Sequence, residues 1–262
     1  LFVQSTPQGL VDALKMQIPE LHVMANEVHA EVADKELNTA DNGYLATWVH
    51  VDRVGRKQLD TVAREQELFE GYTIHLLQEL LPERSQIMVA NSMSIRDMDY
   101  FWSGNRHSAI IYGNRGVNGI DGTVSTALGI ATNGMPTVLL TGDLTFFHDL
   151  NGLAVAKTHP LNVTIIVHNN DGGGIFEYLP QKGKPHFDYL FSTAQGLDYS
   201  GLATLYGIDF VRVANNDELK NALQNYVGTA GVHVIEIPTS KERSRELHAL
   251  YTTIPTNKED RL

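Results

Sequence analysis

Residues 137–144 read Thr-Val-Leu-Leu-Thr-Gly-Asp-Leu, and residues 163–174 read Val-Thr-Ile-Ile-Val-His-Asn-Asn-Asp-Gly-Gly-Gly. Each stretch starts as a short and almost continuous apolar run, which is typical of a strand buried on both faces. Each then ends in residues that favour turns. Because strands buried on both faces occur mainly in parallel sheets covered by helices, the two stretches predict an α/β fold.

The same pattern repeats along the chain, where apolar runs rich in β-branched residues alternate with helical patterns. This alternation predicts a doubly wound parallel sheet. The predicted strands cover residues 21–25, 86–90, 109–112, 137–141, 163–167, 208–213 and 232–237. The predicted helices cover residues 69–81, 122–132, 145–157 and 217–227, and residues 46–70 are charged and helical.

The chain is expected to be an interior or C-terminal part of a longer protein. It begins at Leu1 inside what reads as a strand, and no signal peptide is visible. Residues 1–45 are expected to be the tail of a preceding, middle domain and a linker. Residues 46–262 are expected to form the main domain.

Composition narrows the classes of function. The 262 residues include no cysteine, which excludes disulfides, thiolate zinc sites and cysteine nucleophiles and fits a reducing, cytoplasmic compartment. The net charge of −11 argues against a nucleic-acid partner, and an anionic substrate would need locally placed arginine or lysine. No stretch approaches the roughly 20 apolar residues that span a bilayer.

Polar residues follow the predicted strands in both residues 137–144 and residues 163–174. Ligands of open parallel sheets bind beyond the carboxyl ends of the strands, so the two ends should meet at one site. Asp143 can supply a carboxylate, Asn170 a side-chain carbonyl and Gly172 a backbone carbonyl. Mg²⁺ prefers an octahedral shell of oxygen ligands and often shares it with phosphate groups. The sequence therefore predicts a site for magnesium and a diphosphate group. The alternative is that both stretches end in ordinary turns between strands.

Two neighbouring residues fit an anionic ligand. Gly142 would let the backbone approach a phosphate group closely. Thr145 is placed to cap the following helix, whose first amides favour an anion. The glycines at 172–174 permit backbone angles that other residues resist.

The two motifs together resemble the cofactor motif of thiamine-diphosphate enzymes, in which Gly-Asp-Gly is followed at a distance by Asn-Asn. Here Leu144 stands in place of the last glycine of the first half. The resemblance implies binding of thiamine diphosphate through Mg²⁺, or Mn²⁺ in its place. The cofactor-binding residues that it implies are Ile120, Gly142, Asp143, Leu144, Thr145, Asn170, Gly172, Gly173 and Ile175, with Asp143, Asn170 and Gly172 as metal ligands.

The resemblance narrows to one family in four segments, which are residues 91–97, 114–122, 142–151 and 169–176. They are similar to the synthases of 2-succinyl-5-enolpyruvyl-6-hydroxy-3-cyclohexene-1-carboxylate, which are transferases of menaquinone biosynthesis. This implies that 2-oxoglutarate loses carbon dioxide and that its succinyl unit is added to isochorismate. The substrate-binding residues implied are Asn91, Ser92, Arg96, Arg115, Ile175, Phe176 and Leu179, of which the two arginines would contact carboxylates.

Each of these residues has a structural alternative. Arg96 could form an ion pair with Asp97 or Asp99, and Asn91 and Ser92 could cap a helix. The apolar residues implied for the site could belong to the core, and the eleven histidines are expected to be structural or exposed.

The resemblance also implies what other parts of the enzyme contribute. The family's assisting glutamate lies on a separate pyrimidine-binding domain, usually from a second subunit of a homodimer or homotetramer. No segment of this chain matches that domain, so we expect no catalytic residue here and an inactive chain when alone.

Three alternatives concern the function as a whole. A different thiamine-diphosphate enzyme, such as an acetolactate synthase or a 2-oxoacid decarboxylase, would need the metal residues but neither arginine. A non-catalytic binding or oligomerisation module would need none of them. The glycines at 113, 116 and 119 suggest a dinucleotide site, but their spacing is G-x-x-G-x-x-G rather than G-x-G-x-x-G.

Overall fold

Six parallel strands form one sheet in the computed structural model, which describes residues 42–104 and 108–253. The strands are β1 (Gln86–Val89), β2 (Ile110–Gly113), β3 (Thr137–Gly142), β4 (Asn162–Asn169), β5 (Asp209–Arg212) and β6 (Gly231–Pro238). All six predicted strands from residue 86 onwards are confirmed. The strand predicted at residues 21–25 lies outside the described residues, as does most of the tail predicted at residues 1–45.

Helices cover both faces of the sheet, as a doubly wound fold requires. They are α1 (Asn42–Asp60), α2 (Glu70–Leu80), α3 (Met93–Phe101), α4 (Thr123–Ile130), α5 (Asp143–His148), α6 (Leu202–Tyr206), α7 (Asn216–Tyr226) and α8 (Lys241–Thr252). Shorter helical turns lie at Thr61–Arg64, Ala131–Asn133, Leu150–Lys157, Gly174–Tyr178, Asp188–Ser192 and Tyr199–Gly201. The sequence had not predicted α3, α6 or α8. Within the described part of the chain, every helix is too short or too polar to cross a membrane.

The strands are ordered β2-β1-β3-β4-β6-β5, so the sheet has a switch point between β1 and β3. After β1 the chain leads to one edge of the sheet, and after β3 it leads towards the other. The connections therefore diverge and leave a crevice beyond the carboxyl ends of β1 and β3, where open α/β sheets bind ligands. β3 also pairs with β4, and this register places Gly142 beside His168.

The hydrophobic core is divided by the sheet into two layers. Ile87, Val138 and Leu140 pack on one side with α2, α3, α7 and α8. Met88 and Leu139, which are adjacent in sequence to these residues, pack on the other side with α4. Successive side chains of a strand point to opposite faces of the sheet. A continuous apolar run therefore supplies apolar side chains to both core layers.

The helix predicted at residues 145–157 is divided in two. It begins earlier, at Asp143, and the regular helix ends at His148 before the turns of Leu150–Lys157. The cause lies at Asp149, whose carboxylate accepts hydrogen bonds from the backbone N–H of Ser125 (2.6 Å) and from its hydroxyl (3.0 Å). Asp149 thus caps the first turn of α4 instead of continuing its own helix.

Replacing Asp149 by alanine should lower the free energy of unfolding by about 1–2 kcal/mol, because it removes the acceptor that caps α4. Chemical denaturation followed by circular dichroism measures the change. Asp60→Ala is the matched control, since Asp60 precedes a helical turn without a capping hydrogen bond. Equal stability of the two variants would contradict the capping role.

Candidate functional site

The ends of β1, β3 and β4 surround a cavity of about 210 Å³ at the switch point of the sheet. The cavity brings together twelve of the residues that the sequence had singled out. They are Asn91, Ser92, Ile120, Gly142, Asp143, Leu144, Thr145, Asn170, Gly172, Gly173, Ile175 and Phe176.

Asp143 connects the two halves of the motif. It follows β3 directly, is 4% exposed, and its Oδ2 accepts a hydrogen bond of 2.7 Å from the N–H of Gly172. Burial raises the pKa of Asp143 to about 6, against the lowering effect of the hydrogen bonds that it accepts from backbone amides. The carboxylate is therefore destabilised by desolvation, and a cation beside it would relieve that penalty.

Asn170 presents a buried acceptor with no partner. Among the described residues that line this cavity, its Oδ1 is the only buried side-chain nitrogen or oxygen atom without a hydrogen bond. Leaving such an acceptor unsatisfied costs about 1–3 kcal/mol. An amide oxygen and a carboxylate on one cavity wall are oxygen ligands of the kind that Mg²⁺ prefers.

The protein side chains alone do not complete a metal shell. Over residues 42–104 and 108–253, no group of three or more histidine, cysteine, aspartate or glutamate side chains is arranged to hold a metal ion. The donor set fits a cation that takes its remaining ligands from backbone carbonyls and a bound phosphate, as Mg²⁺ usually does.

Glycines give the loop after β4 its shape. Gly172 has a φ of +136°, and a Cβ atom there would lie 2.0 Å from the carbonyl oxygen of Ser192. Only Gly172 of the three glycines at 172–174 has a positive φ, so the expected freedom of backbone angle applies to one position. At Gly142, by contrast, a Cβ atom would meet nothing closer than 4.0 Å, which leaves room for a ligand.

A buried carboxylate orients the first asparagine of the pair. Glu236 on β6 is 2% exposed and accepts hydrogen bonds from Asn169 Nδ2 and from Arg212 Nε, both at 2.7 Å. The Oδ1 of Asn169 in turn accepts from the backbone N–H of Asp171 at 3.0 Å. Asn169 therefore stabilises the turn that carries Asn170.

Hydrogen bonds also connect the loop after β4 to the segment around residue 192. Lys241 Nζ donates to the carbonyl oxygen of Asp171 (2.7 Å) and to Ser192 Oγ (2.6 Å). The Asp171 carboxylate accepts from the backbone N–H groups of Gln195 and Gly196, each at 2.8 Å. The loop that carries Asn170 and Gly172 is thus held from both sides.

Asn91 links the cavity to the glycine-rich loop after β2. Its Nδ2 donates to the carbonyl oxygens of Asn114 (3.1 Å) and Gly119 (2.6 Å), and its Oδ1 accepts from Arg115 at 2.6 Å. Arg115 lines a separate cavity on the outer side of this loop. The structure therefore connects Arg115 to the site through Asn91 but does not place it in the cavity beside Asp143.

Arg96 and Leu179 also lie outside the first cavity. Both line a neighbouring cavity of about 630 Å³. The ion pair considered for Arg96 is not formed, because Arg96 donates to the carbonyl oxygen of Ser92 and Asp97 bonds to His248. Ser92 precedes α3 without a side-chain capping bond, so the capping alternative for Ser92 is also wrong.

The expected capping role of Thr145 is wrong. The helix starts at Asp143, two residues earlier than predicted, and Thr145 lies inside it.

The sequence did not assign several buried polar residues of the cavity wall to the site. Asp97 is 1% exposed and accepts a hydrogen bond of 2.7 Å from His248 Nε2. Burial lowers the pKa of His248, but the hydrogen bond to Asp97 and the negative charges of Asp97 and Glu70 together outweigh burial and raise the pKa to about 9. Asp97, Glu70 and His168 all line the cavity. Asp97 and His248 lie 151 residues apart, and no local pattern signals their contact.

The apolar residues of the site are not core residues. Ile120, Ile175 and Phe176 are half-buried, and Leu179 is 39% exposed. None of them belongs to either core layer of the described chain. Their apolar surfaces face the two cavities instead.

Curated proteins are similar to this chain in sequence. The synthase of 2-succinyl-5-enolpyruvyl-6-hydroxy-3-cyclohexene-1-carboxylate from Lactococcus lactis subsp. cremoris is 52% identical over 213 residues, which are 81% of this chain and 38% of that protein. The synthase of the same name from Desulfitobacterium hafniense is 47% identical over 84% of this chain and 40% of its own length. The chain therefore spans about two fifths of the length of these curated relatives.

A solved structure supports the fold. The X-ray structure of a protein from Mycobacterium smegmatis, described as a thiamin diphosphate-dependent enzyme, matches 66% of this chain and 32% of its own chain. The TM-score is 0.53 at 20% sequence identity, a likeness of fold alone.

A family model covers the central part of the chain. The model of the thiamine pyrophosphate enzyme, C-terminal TPP binding domain, matches residues 92–237. This range contains the ends of β3 and β4 with Asp143, Asn170 and Gly172, which line the cavity. The chain belongs to the family of C-terminal thiamine-pyrophosphate-binding domains of thiamine pyrophosphate enzymes.

Proposed function

We propose that this chain is the diphosphate- and metal-binding domain of a carboligase that decarboxylates 2-oxoglutarate and adds the succinyl unit to isochorismate. One observation carries the proposal. The carboxylate of Asp143 and the unpartnered Oδ1 of Asn170 line one cavity at the switch point of the sheet. The names of the relatives supply the product, and the two substrates are those implied by the resemblance of the sequence motifs.

In this proposal Mg²⁺, or Mn²⁺ in its place, is held by Asp143, Asn170 Oδ1 and the carbonyl oxygen of Gly172. When bound, thiamine diphosphate supplies the chemistry by which a 2-oxo acid loses carbon dioxide and forms a new carbon–carbon bond. The chain itself binds and orients the cofactor. The residues proposed to surround it are Ile120, Gly142, Leu144, Thr145, Gly173 and Ile175, all of which line the cavity.

Both proposed substrates, 2-oxoglutarate and isochorismate, are dicarboxylic acids and require cationic partners. Arginine binds carboxylates in a bidentate manner, and we assign this role to Arg96 and Arg115. Asn91 and Ser92 are proposed as polar substrate contacts, and Ile175, Phe176 and Leu179 as an apolar wall. Because Arg115 reaches the cavity through Asn91, its effect on the substrate would pass through that amide or follow a movement of the loop.

Another domain completes the site in this proposal. A cavity of about 210 Å³ is smaller than the roughly 300–1,000 Å³ of sites that enclose a whole ligand. This size fits a site that holds the diphosphate end while another domain holds the pyrimidine. We infer that this second domain carries the assisting glutamate, that it comes from a second subunit of a homodimer or homotetramer, and that the enzyme is cytoplasmic.

Replacing Asp143 by asparagine should weaken Mg²⁺-dependent binding of thiamine diphosphate by roughly tenfold or more, which corresponds to about 1.4 kcal/mol. The reason is the loss of the anionic ligand, while the amide still accepts from Gly172. Isothermal titration calorimetry with and without Mg²⁺ measures the change. Asp52→Asn, an exposed change on α1, is the control and should bind like the wild type. Unchanged affinity of Asp143→Asn would refute the metal assignment.

The reaction is tested in the protein that combines this chain with its pyrimidine-binding domain. We expect 2-oxoglutarate to be consumed, with release of carbon dioxide, when isochorismate is present. Turnover of pyruvate alone would instead indicate an acetolactate synthase or a 2-oxoacid decarboxylase. Absence of turnover with any oxo acid would indicate a non-catalytic module.

Replacing Arg115 by alanine in that protein should raise the Michaelis constant for one of the two acids, while the affinity for thiamine diphosphate changes by less than about twofold. Steady-state kinetics with each acid varied in turn provides the measurement. Arg53→Ala, exposed on α1, serves as the control. A collapse of cofactor binding in Arg115→Ala would mean that the arginine supports the cofactor site through Asn91 rather than the substrate.

A further inference from the structure

The wall of the proposed cofactor cavity is acidic. Glu70, Asp97 and Asp143 all line the cavity, and each is at most 5% exposed. Among the described residues, no arginine or lysine lines it. The group proposed to bind there is a diphosphate, which is itself an anion. Three carboxylates should repel that group unless positive charge lies close to them.

The proposed metal ion accounts for one of the three carboxylates. Asp143 would be its ligand, and the ion would also offset part of the charge of the diphosphate. Glu70 and Asp97 are not in the proposed ligand set. His168, the histidine of the lining, contacts Thr73 Oγ1 at 3.0 Å and forms no ion pair with either acid in the described chain.

One imidazole is hydrogen-bonded to this acidic wall. His248 on α8 is 3% exposed, and its Nε2 lies 2.7 Å from Asp97 Oδ1. Its Nδ1 lies 2.7 Å from the carbonyl oxygen of Ser244, an atom that can only accept. Nδ1 must therefore carry a hydrogen, and Nε2 needs a second one to donate to a carboxylate. Two ring nitrogens that face two acceptors are the arrangement of an imidazolium.

The same imidazole is linked to Glu70. Ser244 Oγ donates to Glu70 Oε2 at 2.8 Å and lies 3.4 Å from His248 Nδ1. Glu70 forms no ion pair with any described residue. The negative charges of Asp97 and Glu70 both act to raise the pKa of His248. Because this attraction is mutual, the charge of His248 stabilises both carboxylates.

Two arginines also lie near His248. Arg96 and Arg245 line the neighbouring cavity of about 630 Å³ together with it. Burial raises the pKa of Asp97, and the hydrogen bond and charge of His248 oppose this rise more strongly than the charge of Arg96 does. His248 is therefore the main counter-charge of Asp97.

Aromatic rings surround the imidazole. The ring centroids of Phe69, Phe101 and Tyr178 lie 4.9, 6.0 and 5.9 Å from that of His248. These rings leave little room for water around the pair of His248 and Asp97. Charges in such surroundings are weakly screened, so the loss of one of them should be felt across the cavity wall.

We propose that His248 is a buried counter-charge to the acidic wall of the cofactor cavity, and that its positive charge allows this cavity to accept the diphosphate of the cofactor. His248 does not line the cavity and acts through Asp97 and Glu70, as a positioning residue. The inference rests on the proposed cofactor site, but it does not depend on the proposed reaction.

The first experiment measures binding of thiamine diphosphate with Mg²⁺ to the protein that combines this chain with its pyrimidine-binding domain. Isothermal titration calorimetry is performed at about pH 8, below the raised pKa of His248. His248→Gln should weaken binding by about tenfold or more, because the acids of the wall lose their counter-charge. His75→Gln is the matched control, since His75 pairs with Glu79 and does not line the cavity.

Two further variants separate charge from structure. Asp97→Asn breaks the same hydrogen bond but adds no negative charge, so it should bind the cofactor at least about threefold more tightly than His248→Gln does. The double variant Asp97→Asn/His248→Gln removes both charges and should also bind more tightly than His248→Gln. A purely structural contact predicts equal losses in the two single variants and the largest loss in the double variant. Thermal unfolding verifies that each variant is folded.

A third measurement needs no cofactor. Nuclear magnetic resonance of the 262-residue chain with ¹⁵N-labelled histidine reports the protonation of each imidazole. We expect His248 to be an imidazolium at about pH 7 and to lose its proton only near pH 9. Its signal is assigned by its absence from the double variant.

The outcomes separate the counter-charge from the reaction. A neutral imidazole of His248 at about pH 7 overturns the inference, and so do Asp97→Asn and double variants that bind as weakly as His248→Gln. If the wild type does not bind thiamine diphosphate, the proposed cofactor site is wrong and the inference falls with it. If the variants bind in the expected order but the wild type consumes neither acid, the inference stands and the proposed reaction is wrong.

Discussion

The site depends on one contact between two strand ends. The N–H of Gly172, after β4, donates to the carboxylate of Asp143, after β3. This bond holds the carboxylate in a buried position where its charge is poorly solvated, and the Oδ1 of Asn170 lines the same cavity without a partner. A single cation would stabilise both the destabilised anion and the unsatisfied acceptor, which is the reason for the proposed metal site.

Neighbouring strands and side chains restrict the movement of the two strand ends that form this contact. Parallel pairing fixes β3 against β4, and Glu236 on the next strand holds Asn169 in place. On the other side Lys241 holds the carbonyl of Asp171. Because these partners lie on β6 and at the start of α8, the geometry of a short loop depends on the folding of the C-terminal third of the described chain.

Much of the fold was predictable because the signals are local. A strand such as 163–167 is recognised from its own apolar residues, and the polar residues after two such strands predict the meeting of Asp143 and Asn170. Helices α3 and α8 were missed, since α3 is short and α8 is rich in charged residues whose role emerges only from packing. Thr145 was misjudged because the start of its helix is set by Gly142, with no side-chain cap.

The missed parts of the site are the contacts between distant residues. Asp97 bonds to His248 rather than to the adjacent arginine, and Arg245 lines a cavity formed by helices far apart in sequence. Such contacts depend on the order of strands in the sheet, which the apolar runs do not specify. Sequence motifs predicted most of the residues that line the cavity, whereas the shape of its surroundings required the structure.

The central claim is that one cation is shared by the ends of β3 and β4. The most direct measurement is a crystal structure of the chain with thiamine diphosphate and Mn²⁺, in which anomalous scattering locates the metal. We predict a single Mn²⁺ about 2.1 Å from a carboxylate oxygen of Asp143 and from Oδ1 of Asn170, with diphosphate oxygens completing its shell. A manganese ion bound elsewhere, or a diphosphate bound without a metal between these two residues, would contradict the account.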